Sequence, residues 1–314
     1  MRRVLLTGAT GFVGKALIKP LLAAGYTVRA AIRETGQLGQ AGVETVVTGD
    51  LANPVEWRQA LAGCDAVVHA AAIAHIGPGA PQSLYDAVNC RAAVNLAQAA
   101  QGLVRSFVFL SSIRAQTGPS APGVITEATP ALPTDPYGVA KLAAERAIME
   151  MDLVWTILRP VLVYGPGVKG NLARLLRLAD TPIPLPLASL AGRRSMISID
   201  NLCSAILFNL ESASAARQIF IAADDTPLSL PDVVSALRSG LDRPSRLFPM
   251  PPGLLELPFT LSGRGQDWQR LNGDLVASAD KLKRAGWAPC ENSLAGLKRM
   301  ARLHRRGQIP APPV

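Results

Sequence analysis

Cysteine and histidine are scarce. Cys64, Cys90, Cys203 and Cys290 stand far apart with no CxxC pair, which excludes a disulfide framework and a cysteine zinc site. His69, His75 and His304 are too few and too scattered for a metal centre, and no metal is expected. Aromatic residues make up only 5% of the chain, so a basic-aromatic platform for single-stranded nucleic acid is missing and nucleic acid is not an expected partner. Long apolar runs are absent too. The N-terminal run that follows Arg2 and Arg3 is broken by Gly8, Gly11 and Gly14, which fits neither a signal peptide nor a membrane span. The chain is expected to work in the cytoplasm.

What is present is a large apolar reserve. Of 314 residues, 49% are hydrophobic and 18% charged, enough to bury a sizeable core. The net charge is +9. Part of the excess lies in Lys298, Arg299, Arg302, Arg305 and Arg306 and reads as a solvated helix face. The functional readings of that charge are attraction for anionic substrates and peripheral contact with an anionic membrane surface.

The first half alternates short apolar runs with helical patterns. Strands are predicted at Arg3–Thr7, Thr27–Ile32, Val43–Thr48, Ala66–Ala70, Ser106–Ser111 and Trp155–Arg159. Helices are predicted from the glycine turn to Ala24, near 55–62, as one long helix over 83–101, and over 136–151. That alternation predicts an α/β fold, a Rossmann-type doubly wound parallel sheet. The second half is punctuated by Pro166, Pro182, Pro184 and Pro186, and Phe248-Pro249-Met250-Pro251-Pro252-Gly253 reads as a loop. Short strands are expected at Met196–Ile199 and Gln218–Ala222, with helices near 201–210, 230–239 and 279–285. The expected division is a dinucleotide-binding unit over 1–165, which also receives roughly 195–225. A smaller substrate lobe over 166–314 is interleaved with the sheet. The tail Pro310–Pro313 is expected to fray.

Thr7-Gly8-Ala9-Thr10-Gly11-Phe12-Val13-Gly14 follows the first strand and opens the first helix. Gly8 permits a tight turn, Gly11 lets backbone N–H groups approach a pyrophosphate, and Gly14 lets helix and sheet come close. A second constellation is Tyr137-Gly138-Val139-Ala140-Lys141, preceded by Ser111-Ser112 at a strand end. Residues four apart share a helix face. Lys141 is therefore expected beside the Tyr137 phenol, lowering a pKa that is ordinarily ~10. At the end of the second strand Ile32 stands where a ribose-binding carboxylate would favour NAD, and Arg33 follows it. Arg33 can pair with a 2′-phosphate, which favours NADP(H), while Glu34 leaves NAD(H) open.

GxxGxxG, the strand-end serines and YxxxK in this order resemble the extended short-chain dehydrogenase/reductases. The resemblance implies an NAD(P)-dependent oxidoreductase with Ser112, Tyr137 and Lys141 as its catalytic residues. It further implies a cofactor site built from Gly8, Thr10, Gly11, Phe12 and Val13, the Asp50-Leu51 segment, the small-residue wall Ala70-Ala71-Ala72, and Asn89. Relatives that dehydrate nucleotide sugars carry an Asp-Glu pair after the strand-end hydroxyl. Ile113 and Arg114 stand there, which sets dehydration aside. On the substrate side the resemblance implies sugar or phosphate contacts from Ser111 and Asn171, and a diphosphate-binding Arg194 with Arg193 as its alternate.

The combination of Ser111-Ser112-Ile113, Pro136-Tyr137-Gly138, Val168-Lys169-Gly170-Asn171, Pro184-Leu185-Pro186 and Arg193-Arg194-Ser195 is similar to bacterial enzymes of polysaccharide and O-antigen assembly. Among these it looks most like the UDP-N-acetylquinovosamine dehydrogenase group, reductases of a UDP-linked 4-keto-6-deoxy N-acetylated sugar. A UDP-hexose C4 epimerase with retained NAD and a non-catalytic NAD(P)-binding regulator are the alternative readings. A homodimer through the stretches 83–101 and 136–151 is expected from the same resemblance.

Overall fold

The computed structural model describes residues 2–74 and 80–307. The expected frayed tail and His75 lie outside the described residues. Seven parallel strands form the central sheet: β1 (Arg2–Thr7), β2 (Tyr26–Ile32), β3 (Val43–Val47), β4 (Ala66–His69), β5 (Ser106–Leu110), β6 (Trp155–Pro160) and β7 (Gln218–Ala222). Their spatial order is β3-β2-β1-β4-β5-β6-β7, the doubly wound arrangement in which the chain reverses direction beside β1 and leaves a crevice at the strand C-termini. Val4, Leu5, Leu6, Val67, Val68, Phe107, Val108 and Phe109 are all fully buried. Continuous burial rather than alternation is what helices on both faces impose.

Helix α1 (Phe12–Ala23) buries Gly14, Leu17, Ile18 and Leu21 on one stripe. Each of its large apolar side chains contributes roughly 1.5–3 kcal/mol. The expected single helix over 83–101 is interrupted. A short turn, Gln82–Tyr85, leads through a π-helical turn, Asp86–Arg91, into α2 (Ala92–Ala100). The extra residue of a π turn is invisible to a 3.6-residue periodicity, and such turns favour functional sites. Helix α3 (Pro136–Met149) starts on a proline and is capped by Asp135, whose Oδ1 accepts from Gly138 N–H at 2.7 Å.

Beyond β6 the chain builds helices α4 (Gly170–Ala179) and α5 (Ile199–Glu211), then returns to the sheet as β7. It continues through α6 (Leu230–Gly240), α7 (Pro252–Leu261), α8 (Gly265–Asn272) and α9 (Ser293–Arg305). Four of these, α4, α7, α8 and α9, are absent from the periodicity reading. Pro252 at the start of α7 and Pro258 inside it disguise a helix as a loop. Small two-stranded pairings tie the lobe down: Arg193–Arg194 with Leu228–Ser229, and Met196–Ser198 with Leu162–Tyr164.

Candidate active site

The turn between β1 and α1 is shaped by what its glycines exclude. Gly8 has φ +70°, and a Cβ there would lie 2.7 Å from Ala71 N. A Cβ on Gly14 would lie 2.1 Å from the Gly8 carbonyl oxygen. The turn is therefore pressed against Ala70-Ala71 on one side and the helix on the other. Gly11 caps α1 without any side-chain hydrogen bond, so the first-turn N–H groups face outward with the positive end of the helix dipole. Thr10 is exposed, and Phe12 and Val13 are half-buried.

A buried relay stiffens this turn. Ala71 N–H donates to Thr7 Oγ1 at 3.2 Å, and Thr7 Oγ1 lies 2.9 Å from His69 Nδ1. Which of the two donates is set by the tautomer of the ring. Burial, assisted by the charge of Lys141, pushes the His69 pKa down to about 3, so the ring is neutral at pH 7. Asn89, buried in the π turn, accepts from Ile73 N–H and donates to Ile73 C=O, both at 2.9 Å. It thereby fixes the backbone after the Ala70-Ala71-Ala72 segment. Arg33 and Asp50 meet across the ends of β2 and β3, with Nε and Oδ2 4.0 Å apart and both side chains largely exposed. Such a pair is weakly bound and leaves Arg33 free to turn toward another anion. Leu51 follows, half-buried.

Ser112 and Tyr137 come together at the C-terminal end of β5. Ser112 caps the short turn Ile113–Ala115, accepting from Arg114 N–H at 3.1 Å. The start of α3 is held there by Arg114, whose Nε donates to Asp135 Oδ2 at 2.9 Å. A Cβ on Gly138 would lie 2.1 Å from the Arg114 carbonyl oxygen, so no larger residue allows this approach. Ile113 is buried in the core and Arg114 is committed to Asp135. No acid/base pair occupies these two positions.

Two expectations about this cluster need correction. Lys141 shares the helix face but is fully buried. Its Nζ donates to Leu110 C=O at 2.8 Å and lies 4.5 Å over the Phe109 ring. Burial pushes its pKa down to about 7, against the opposing pull of Glu145. Tyr137 accordingly is not lowered. Burial raises it to about 12, partly offset by the neighbouring Ser112 hydroxyl. In the protein itself desolvation wins over the helix-face argument. Ser111 differs too. Its hydroxyl is directed at Glu145 inside the protein rather than toward the cleft.

Glu145 opens a buried network that the motif reading missed. It is held by Arg159, whose Nε lies 3.0 and 3.2 Å from its two oxygens. Arg159 Nη1 reaches Gln116 Oε1 at 3.0 Å, and Gln116 donates to Thr126 and Thr129 carbonyls. Tyr137, Lys141 and Glu145 recur at every fourth residue, and that repeat was the available signal.

On the other side of the crevice Arg194 donates to the carbonyls of Pro119 at 3.0 Å and Gln269 at 2.6 Å. Its Nε is buried and has no partner among the described residues. Burial and the nearby charges of Arg114 and Arg270 push its pKa down to about 10. Asp274 opposes that shift, and Arg114 and Arg270 are themselves paired with Asp135 and Asp267. Arg193 makes no side-chain hydrogen bond among the described residues. It is exposed, with its backbone N–H bonded to Asp274. Asn171 stands exposed in the first turn of α4, apart from this cluster in every hydrogen bond among the described residues.

The sequence profile of the NAD dependent epimerase/dehydratase family matches residues 4–222. The chain belongs to that family. The family's cofactor, NAD(P), fits what the turn offers: a glycine cradle that a Cβ would fill and an uncapped helix N-terminus. A curated relative, UDP-glucose 4-epimerase of Vibrio cholerae, is 35% identical over 313 residues, covering 96% of this chain and 94% of the relative. The N-acetyl-alpha-D-glucosaminyl-diphospho-ditrans,octacis-undecaprenol 4-epimerase of Escherichia coli O157:H7 is 28% identical, covering 80% of this chain and 77% of that one. Among solved structures, UDP-glucuronic acid 4-epimerase from Bacillus cereus in complex with NAD superposes with a TM-score of 0.76 at 21% identity, covering 98% of this chain and 97% of that one. Membership in this family makes an enzyme of the extended short-chain dehydrogenase/reductase type the established reading. No helix among the described residues is long and apolar enough to cross a membrane.

Proposed function

We propose that the protein reduces or oxidises C4 of a UDP-linked sugar, with reduction of a 4-keto, 6-deoxy, N-acetylated sugar as its net reaction in polysaccharide precursor synthesis. The observation that carries the redox step is the seating of the start of α3, and with it Tyr137, against the turn after Ser112 at the end of β5, fixed by the Arg114–Asp135 bond and by Gly138, where a Cβ would lie 2.1 Å from the Arg114 carbonyl oxygen, one helical turn from the buried Lys141. With its pyrophosphate held by the glycine cradle, a bound NAD(P) would supply or accept the hydride through its nicotinamide. Tyr137 holds the proton that goes to the C4 oxygen, and a pKa near 12 keeps that proton in place until an oxyanion develops. Ser112 donates to the same oxygen. The resemblance gives Lys141, one helical turn from Tyr137, the ribose side of the site. Arg194, whose buried Nε has no partner among the described residues, is the candidate for the diphosphate. The exposure of Arg193 supports the more buried Arg194 for this role, and Asn171 remains a candidate for the sugar. Arg33 supports NADP(H). The working form would be a cytoplasmic homodimer through the faces of α2 and α3, where Val139 and Met149 are exposed.

A second reading is supported by the Vibrio cholerae relative: 4-epimerisation of a UDP-hexose with NAD retained through the cycle. Cofactor accounting separates the two. The purified protein is incubated with NADPH or NADH and a UDP-4-keto sugar, and separately with UDP-glucose and UDP-N-acetylglucosamine alone. Stoichiometric loss of reduced cofactor supports the reductase. Conversion of the 4-hydroxy sugars to their C4 epimers without added cofactor supports the epimerase. Failure of both leaves no C4 chemistry and defeats the proposal.

A further inference from the structure

Helix α7 contains no buried residue. Its sequence, Pro252-Gly253-Leu254-Leu255-Glu256-Leu257-Pro258-Phe259-Thr260-Leu261, holds a single charge. Leu254, Leu257 and Leu261, with Pro258 beside them, recur at helical spacing and form one stripe. That stripe faces solvent, with the three leucines 61%, 53% and 79% exposed. Leu255 and Phe259 lie on the other side, where Phe259 meets Trp268 of α8 with ring centroids 5.9 Å apart. An amphipathic helix ordinarily turns its apolar stripe inward. Here the covered side holds two residues and the larger stripe is left outside, which marks a contact surface.

The surroundings state the charge of what it contacts. Residues 168–188 and 243–272 together hold seven Lys/Arg against three Asp/Glu. Arg174 and Arg177 line a hollow with Leu178 and Thr181, and Arg243 and Arg246 line a second one that shares Thr181. Arg174, Arg177 and Arg246 are exposed and have no carboxylate within ion-pair distance among the described residues. The chain runs from these hollows directly to the stripe. Arg246 C=O and Phe248 N–H bond to Leu185, each at 3.0 Å, Phe248 is 40% exposed, and α7 begins four residues later. Arg264 closes the other end, its guanidinium 6.0 Å from the Phe259 ring.

We infer that α7 and its basic flank are a docking surface for an anionic lipid bilayer, on which α7 lies in the plane of the interface. The apolar stripe enters the boundary between headgroups and acyl chains, and the free arginines meet lipid phosphates. A second copy of the chain fits less well. A two-fold contact through this stripe would set the same unpaired cations against each other, and the homodimer proposed above uses another face. The inference does not depend on the sugar chemistry. It does bear on where that chemistry happens, because Gln269 of α8 accepts from Arg194 and the docked face borders the cleft.

Flotation on a density gradient tests it, with vesicles of phosphatidylcholine alone and of phosphatidylcholine mixed with phosphatidylglycerol. The wild-type protein is expected to float with the mixed vesicles, not with the neutral ones, and to be released by salt. The triple variant Leu254→Ser, Leu257→Ser, Leu261→Ser should bind mixed vesicles at least tenfold less while keeping the wild-type melting temperature and cofactor affinity. Arg174→Glu with Arg177→Glu should weaken binding in the same direction. Wild-type protein that stays at the bottom of the gradient with mixed vesicles overturns the inference, as does a triple variant that floats equally well. A wild-type dimer that the triple variant converts to monomer, without vesicle binding, assigns the stripe to a second copy and overturns it too.

Discussion

Tyr137 and Lys141 share one helix face and are both displaced by burial, in opposite directions. The phenol is pushed up to about 12 and the amine down to about 7, since each loses its charged form on leaving water. Helical spacing foretold the shared face. It could not foretell that Lys141 would spend its donor on Leu110 C=O, because that depends on how deep α3 sits against β5. The stability consequence has a definite sign. A native pKa below the ordinary 10.5 makes the unfolded chain bind the extra proton between about pH 7 and pH 10.5. Lys141 therefore destabilises the fold fully below about pH 7 and progressively less toward pH 10.5. Each unit of that displacement is worth about 1.4 kcal/mol, which in total exceeds the roughly 1–3 kcal/mol of leaving the Leu110 carbonyl without its donor. Lys141→Met is thus expected to raise the melting temperature at pH 7, with a smaller gain at pH 10, and to abolish turnover. Arg194 is the other residue whose setting carries a prediction. Arg194→Ala should raise KM for the UDP-sugar by about ten- to a hundredfold, with kcat within about threefold, since charge-assisted hydrogen bonds are worth roughly 1.5–3 kcal/mol. Arg193→Ala should leave KM within about twofold. Steady-state kinetics on both variants decides.

At the scale of elements, the glycine turn was legible because its spacing is local and its physics is steric. Gly14 is the sharpest case. A methyl group there would sit 2.1 Å from a backbone oxygen, and backbone cannot swing aside as a side chain can. Gly14→Ala is expected to lower dinucleotide affinity at least a hundredfold in a fluorescence titration. Gly39→Ala, at a position with nothing within 4 Å, should leave affinity unchanged. Less legible were the elements whose signals depend on partners. The π turn at Asp86–Arg91 adds a residue that periodicity absorbs silently, and within it Asn89 holds the Ile73 backbone on both sides. Helix α7 was masked by its prolines, and its apolar stripe does not face the core that a periodicity argument assumes. The Glu145–Arg159–Gln116 network joins α3, β6 and the loop after β5. Only the packed sheet brings those three together.

Over the whole molecule, alternating strands and helices gave the doubly wound sheet, and the return of the chain at Gln218–Ala222 completes it as β7. What binds the later helices to the sheet is the buried carboxylate of Asp224. It accepts from Asn201 Nδ2 at 2.7 Å, Ser293 Oγ at 2.9 Å and the Tyr164 hydroxyl at 3.0 Å. Those residues come from α5, the start of α9 and the segment after β6, so one group ties three distant stretches together. Asp224→Ala would strand all of these donors. It is expected to cost about 3 kcal/mol, with loss of helix signal and of tryptophan fluorescence coinciding in one denaturant transition. The central claim remains that Tyr137 and Ser112 serve hydride transfer at C4 of a nucleotide sugar. Reduced cofactor deuterated at the transferable position, incubated with a UDP-4-keto sugar, tests it most directly. Deuterium at C4 of the product, with Tyr137→Phe slowing its appearance at least a hundredfold at unchanged cofactor affinity, is the expected result. A product without deuterium at C4, or a Tyr137→Phe variant that delivers it at the wild-type rate, would contradict it.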